Sequence, residues 1–208
     1  MRKGNEVLPK KGMAEEPRSG GTGAQAAEKI IMGIDPGTNF TGYGVIAVAG
    51  KEVRCVAMGY IELKKYRDVY QKLRHIFERV SGIIEEYRPD EVAFESPFYG
   101  SNVQSMLKLG RAQGVAMAAA LTQGLPVFEY APRKVKQAIT GKGAASKEQV
   151  AGLLGNILKI KELPRNLDST DGLAVAMCHY YESTSLCPKG SGGGWKEFLS
   201  KHPERVVK

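Results

Sequence analysis

Four carboxylates are placed where they could do chemistry together. Asp35 closes the apolar run Ile-Met-Gly-Ile-Asp-Pro-Gly-Thr, and Glu95 closes a shorter one. Asp168 and Asp171 lie three residues apart, so on a helix they share a face. In open sheets with helical crossovers, ligands gather at strand ends. If the runs ending in Asp35 and Glu95 are neighbouring strands, those two acids stand side by side. Converging carboxylates repel one another unless cations hold them. Hard divalent ions with oxygen ligands, Mg2+ above all, meet that need. A pair of such ions clamps a phosphodiester, one activating water and one stabilising the leaving oxygen. Taken singly, each acid has a plainer role. Asp35 before Pro-Gly is a turn former. Glu95 is a strand-end surface residue. Asp168 is an N-cap, with Asp171 favoured by the helix dipole. The joint pattern outweighs these, because a basic stretch accompanies it. Between residues 131 and 165 eight basic residues, Lys136 and Lys147 among them, face only Glu148 and Glu162.

The elements that must carry these acids are legible in the pattern. Residues 29–35 form a continuous apolar run, as a strand buried on both faces needs. Residues 42–48 and 53–62 read as two more strands with a turn at 49–51. An amphipathic helix covers 65–87, its stripe formed by Tyr66, Val69, Leu73, Ile76, Val80 and Ile83. A strand at 91–95, a helix at 102–123 and a strand at 124–130 follow. Pro132 opens a helix to Thr140. Ser146-Lys147-Glu148-Gln149 has the capping-box pattern and starts a helix to Leu158. Asp168 starts the last helix, to about Glu182. The order predicts an α/β fold: a mixed sheet of five strands, the first three an antiparallel meander and the others parallel and helix-connected. The helix at 102–123 carries Gly110, Gly114 and several alanines, which allow another backbone to approach closely.

The chain has 208 residues, formal net charge +8 and 42% hydrophobic residues, with a pI near 9.3. One domain with a core of ordinary size fits that length, and the charge favours an anionic partner, nucleic acid first. Residues 1–28 are polar and Gly-rich and read as a disordered tail. Residues 29–184 read as one domain, and 185–208 as a Gly/Ser linker with a short segment carrying Trp195, Phe198 and Leu199 at helical spacing. Cys55, Cys178 and Cys187 fit neither a zinc site nor a redox pair, pointing to a reduced cytoplasmic setting. No apolar run is long and uncharged enough to span a bilayer. His75, His179 and His202 are scattered and take no metal role.

The loop Asp-Pro-Gly-Thr-Asn-Phe-Thr-Gly-Tyr-Gly resembles the phosphate loop of actin-like ATPases and sugar kinases, where glycines let backbone N–H groups approach phosphate. Those proteins pair two such domains, and this chain has length for one. A structure-specific DNA-binding module without catalysis is a further alternative, opposed by the intact acidic set. A fuller resemblance spans residues 30–181. The run from Ile31 to Ile46, Ala-Phe-Glu-Ser-Pro-Phe at 93–98, Leu-Lys-Leu-Gly-Arg-Ala-Gln-Gly-Val-Ala at 107–116, Pro-Val-Phe-Glu-Tyr-Ala-Pro-Arg-Lys-Val-Lys-Gln at 126–137 and Asp-Ser-Thr-Asp-Gly-Leu-Ala-Val-Ala at 168–176 resemble, in order, the motifs of the RuvC family of Holliday-junction resolvases. That likeness implies a ribonuclease H-like fold with helices on both faces of the sheet. It implies symmetric nicking of two opposing strands of a four-way DNA junction, in recombination and repair. It matches Asp35, Glu95, Asp168 and Asp171 to the family's acidic set, holding two Mg2+ ions for which Mn2+ substitutes. It matches Phe98 to an aromatic near the junction centre, and Lys136 and Lys147 to lysines near the scissile phosphate. Arg133 joins them as a DNA contact. The family acts as a homodimer, with the 102–123 helix contributing to the contact, and works beside a junction-bound branch-migration helicase complex. The tails, and a slightly long stretch at 161–167, depart from the family pattern.

Overall fold

The computed structural model describes residues 28–97, 102–164 and 166–184. Residues 1–27 of the tail expected at 1–28, Phe98 and the expected linker and segment at 185–208 lie outside them. The elements run β1 (Lys29–Asp35), β2 (Phe40–Ala49), β3 (Glu52–Glu62), α1 (Val69–Tyr87), β4 (Glu91–Glu95), α2 (Val103–Leu121), β5 (Val127–Tyr130), α3 (Pro132–Thr140), α4 (Lys147–Ile157) and α5 (Asp168–Thr184). The sheet order is β3-β2-β1-β4-β5. β1 is antiparallel to β2 and parallel to β4, so the strands bearing Asp35 and Glu95 are neighbours. β5 extends the parallel half beyond β4.

Boundaries differ from expectation where local chemistry decides them. α1 starts at Val69, not residue 65, because the Asp68 carboxylate accepts the Gln71 N–H at 3.0 Å and caps the helix there. β5 begins at Val127, not residue 124. Gly124 has φ +73° and, with Leu125, continues the turn that ends α2, bonding back to Leu121 and Ala120 carbonyls. The capping box at Ser146 and Gln149 forms as expected. Glu28, placed in the tail, gives its carboxylate to Arg54 at 2.9 Å.

Two hydrophobic layers sandwich the sheet. Met32, Ile34, Val92 and Phe94 pack with α1 and α2, while Ile31 and Ala93 pack with α3, α4 and α5. Strand alternation therefore puts Asp35 and Glu95 on the α5 face, two residues beyond Gly33 and Ala93. On that face glycines set the distance. A Cβ on Gly42 would stand 2.0 Å from the Asp168 carbonyl oxygen, and one on Gly172 would stand 2.4 Å from Tyr43 Cα. The α5 backbone thus rests directly on the strand backbones, as only glycine allows. This seam fixes the first turn of α5, and its two acids, against the end of β1.

Candidate active site

The end of β1 would be a simple turn if the Asp35 side chain held the loop. Thr41 holds it instead: its fully buried hydroxyl accepts from the Gly37 N–H and donates to the Gly37 carbonyl, each at 3.3 Å. Asp35 is left to point into a cleft of about 140 Å3, lined also by Glu95, Asp171, Lys136, Lys147 and Val135. At α5 the capping reading fails in the same way. Asn166 Oδ1 accepts the Asp168 N–H at 3.1 Å, and the Asp168 carboxylate turns to Lys147.

Lys147, the first residue of α4, links the two helical acids. Its Nζ donates to Asp171 at 2.5 Å and to Asp168 at 3.3 Å. Burial alone would lower its pKa, but the Asp171 hydrogen bond and the neighbouring negative charges outweigh that and raise it. The acids have the opposite problem. Burial, then the charges of Glu95 and Asp171, push Asp35 well above the ordinary carboxylate range. Burial and the Asp171 charge push Glu95 up to about 7, against the opposing charges of Lys136 and Lys147. Asp171 is raised by burial, with the Lys147 hydrogen bond working against it. The two ammonium groups of Lys136 and Lys147 do not neutralise four carboxylates.

This donor set fits a hard cation. It is all carboxylate oxygen and under-neutralised, and Lys147, the lysine hydrogen-bonded within it, is a counter-charge that a stronger cation would displace. Among the described residues no three acidic, histidine or cysteine side chains stand at chelating distance. That agrees with Lys147 drawing Asp168 and Asp171 to itself.

The remaining residues that the sequence singles out have different surroundings. Lys136 lines the acid cleft. Arg133 does not line it; its side chain packs over Gly143, where a Cβ would meet its Cγ at 2.5 Å. Lys134 pairs with Glu182 at 2.6 Å. Two supports of the site escape a reading of the sequence. The glycine seam leaves its trace as Gly42 and Gly44 alternating along β2, and Gly172 in α5. Gln113, buried on α2, donates to the Glu95 carbonyl at 3.4 Å and to Glu129 Oε1 at 2.7 Å. Its only signal is a polar residue among the alanines of the inner helix face.

Comparisons with known proteins converge on one family. A family model described as crossover junction endodeoxyribonuclease RuvC matches residues 31–179. The protein of that name from Bacteroides fragilis is 57% identical over 181 residues, covering 86% of this chain and 96% of that protein. Its counterpart from Cytophaga hutchinsonii is 56% identical over 179 residues, 86% of this chain and 88% of that one. Among solved structures, Thermus thermophilus RuvC in complex with Holliday junction substrate superposes with TM-score 0.69 at 35% identity, covering 74% of this chain and 94% of that one. The yeast mitochondrial Holliday junction resolvase, at TM-score 0.53 and 12% identity, shares the fold.

Proposed function

The chain belongs to the RuvC family of crossover junction endodeoxyribonucleases, and from that premise we propose that Asp35, Glu95, Asp168 and Asp171 form its catalytic centre. The protein is a nuclease that resolves Holliday junctions. The observation that carries the assignment is the under-neutralised acid cluster, from three elements, beside Lys136 and Lys147. Two divalent cations, Mg2+ or Mn2+ in its place, would be held by the four acids and would supply an activated water and neutralise charge at the leaving oxygen.

The chain's own residues do the rest. Asp35 and Glu95 are fixed by adjacent strands, so their separation does not depend on a loop. Asp168 and Asp171 are set on the same end by the glycine seam. Lys147 keeps its proton across neutral pH and serves as the resident counter-charge until the acids are otherwise held. Once released it faces the scissile phosphate from the first turn of α4, where the helix N-terminus also favours an anion. Lys136 approaches from α3. Phe98, by the family likeness, stacks on bases at the junction centre, and Arg133 contacts the backbone farther out.

A homodimer would put two such centres on one junction and nick opposing strands symmetrically. The outer face of α2 supports it. Val103, Leu107 and Leu121 are 65%, 52% and 60% exposed. With Gly110, Gly114 and Met117 they recur at alternating spacings of four and three, the seam of a helix pair. A branch-migration helicase complex as partner and a cytoplasmic location complete the reading; free Cys55 and Cys178 agree with the latter.

Incubation with a synthetic four-way junction and Mg2+ tests it. Paired nicks at symmetric positions are expected, with none in EDTA. Random nicking of linear duplex, with no preference for the junction, would refute the resolvase reading. Asp168→Asn should still bind the junction and fail to cut it; normal cutting would remove Asp168 from the centre.

A further inference from the structure

Lys136 and Lys147 approach the acids from one face of the sheet, on α3 and α4. The opposite face carries cations of its own at the same end. β1 and β3 point the same way, each antiparallel to β2, so both finish at the catalytic end. α1, which follows β3, and α2, which follows β4, both begin there. Between these helices lies a cleft of about 120 Å3, bounded by Gly37 and Thr38 of the loop that follows Asp35. Its floor is apolar, with Leu73 and Ile76, and its charged lining residues are Arg67, Lys72 and Lys108, all basic.

The three cations are not equivalent. Lys72 Nζ donates to the Thr38 carbonyl at 2.9 Å and is committed to holding the loop. Arg67 and Lys108 are exposed, and among the described residues neither has a hydrogen bond or ion pair. The nearby Asp68 carboxylate is occupied in capping α1. Two cations left without partners beside a tethered glycine loop make a place for an anion.

We infer that this cleft binds a backbone phosphate of the junction DNA, on the strand as it leaves the catalytic acids toward the α1–α2 face. The inference rests on the resolvase reading and extends it. A strand held by Lys136 and Lys147 on one side and by Arg67 and Lys108 on the other must cross the end of β1 and β4, where Asp35 and Glu95 stand. Contacts to flanking phosphates fix the register of the scissile one without reading sequence. Arg67 offers a planar fork and Lys108 a compact charge, and the two suit one phosphate approached from the loop before α1 and from α2.

The test is equilibrium binding of the full chain to a labelled four-way junction in EDTA, over a series of salt concentrations. Arg67→Ala/Lys108→Ala should weaken binding by roughly tenfold. The dependence of log K on log salt should become shallower by about 0.9 for the phosphate lost. Arg67→Lys/Lys108→Arg should restore most of both. Lys51→Ala, in the turn at the far end of the sheet, should change neither. Unchanged affinity and slope in the double alanine variant would overturn the proposal, as would an equal loss from Lys51→Ala. A parent protein that binds linear duplex as tightly as the junction would instead overturn the resolvase reading on which the proposal rests.

Discussion

α5 carries charge at both ends, and the two ends solve the problem differently. Toward its C-terminus the buried His179 has partners within the chain. Its Nδ1 meets the Tyr130 hydroxyl at 2.7 Å and its Nε2 meets Glu91 at 2.6 Å. Lys29 completes the set, 2.7 Å from Glu91. Burial opposes ionisation of Glu91, but the Lys29 and His179 hydrogen bonds outweigh it and hold its pKa below the usual value. At the N-terminal end, Asp35, Glu95 and Asp171 all have raised pKa values, with Lys147 as the counter-charge bonded among them. One end is balanced for folding. The other is left out of balance, an imbalance that a cation bound there would relieve. Raised carboxylates grouped in a cleft mark a functional site for this reason.

The contrast can be broken most sharply at Glu95. Glu95→Gln should lower junction cleavage by roughly 10³-fold, about 4 kcal/mol in the barrier. The same change should stabilise the metal-free protein by about 2–3 kcal/mol at pH 8, since it removes a carboxylate whose ionisation the fold disfavours. Cleavage assays and thermal melts in EDTA report the two effects, and a destabilised variant would count against the imbalance. The seam that places the acids comes next. Gly172→Ala forces a methyl group against Tyr43 Cα and should cost about 3 kcal/mol or more, read by denaturant unfolding. At the balanced end, His179→Ala strands Tyr130 and Glu91 and should cost about 1–3 kcal/mol. Its metal-induced rise in melting temperature should match that of the parent, because no acid of the cleft is touched.

The smallest effect is in pH. The folded pKa of Glu95, about 7, lies above its ordinary 4.5. Between those values the folded state keeps a proton that the unfolded state has lost, so this group's contribution falls as pH rises through the window. Asp35 and Asp171 shift in the same direction. Metal-free melting temperature should therefore decline from pH 5 to pH 8, and Mg2+ should flatten the decline. A metal-free protein that gains stability over that range would contradict a cluster of raised carboxylates.

The fold was largely legible because its signals are local. The apolar run at Lys29–Asp35, Pro132 at a first helical turn and the capping box at Ser146 each act through neighbours in sequence. The acids were legible because each falls at an element's end. What stayed hidden depends on contacts distant in sequence. His179 looks like a scattered histidine in the sequence, since Glu91 lies 88 residues away and Tyr130 lies 49 away. The glycines of β2 carry meaning only when α5 lies on them. Lys147 stands out by family likeness, but its bond to Asp171 arises from packing α4 beside α5. The N-cap reading of Asp168 fails because the Thr170 and Asp171 N–H groups it would cap bond to the Leu167 carbonyl, while Asn166 accepts the N–H of Asp168 itself.

The most direct test of the four-acid centre is a crystal structure of the protein soaked with Mn2+, examined for anomalous scattering. Manganese is expected between Asp35 and Glu95 on the strands and Asp168 and Asp171 on α5, with the Lys147 ammonium moved off both helical acids. Full manganese occupancy elsewhere, with Lys147 still bonded to Asp168 and Asp171, would contradict it.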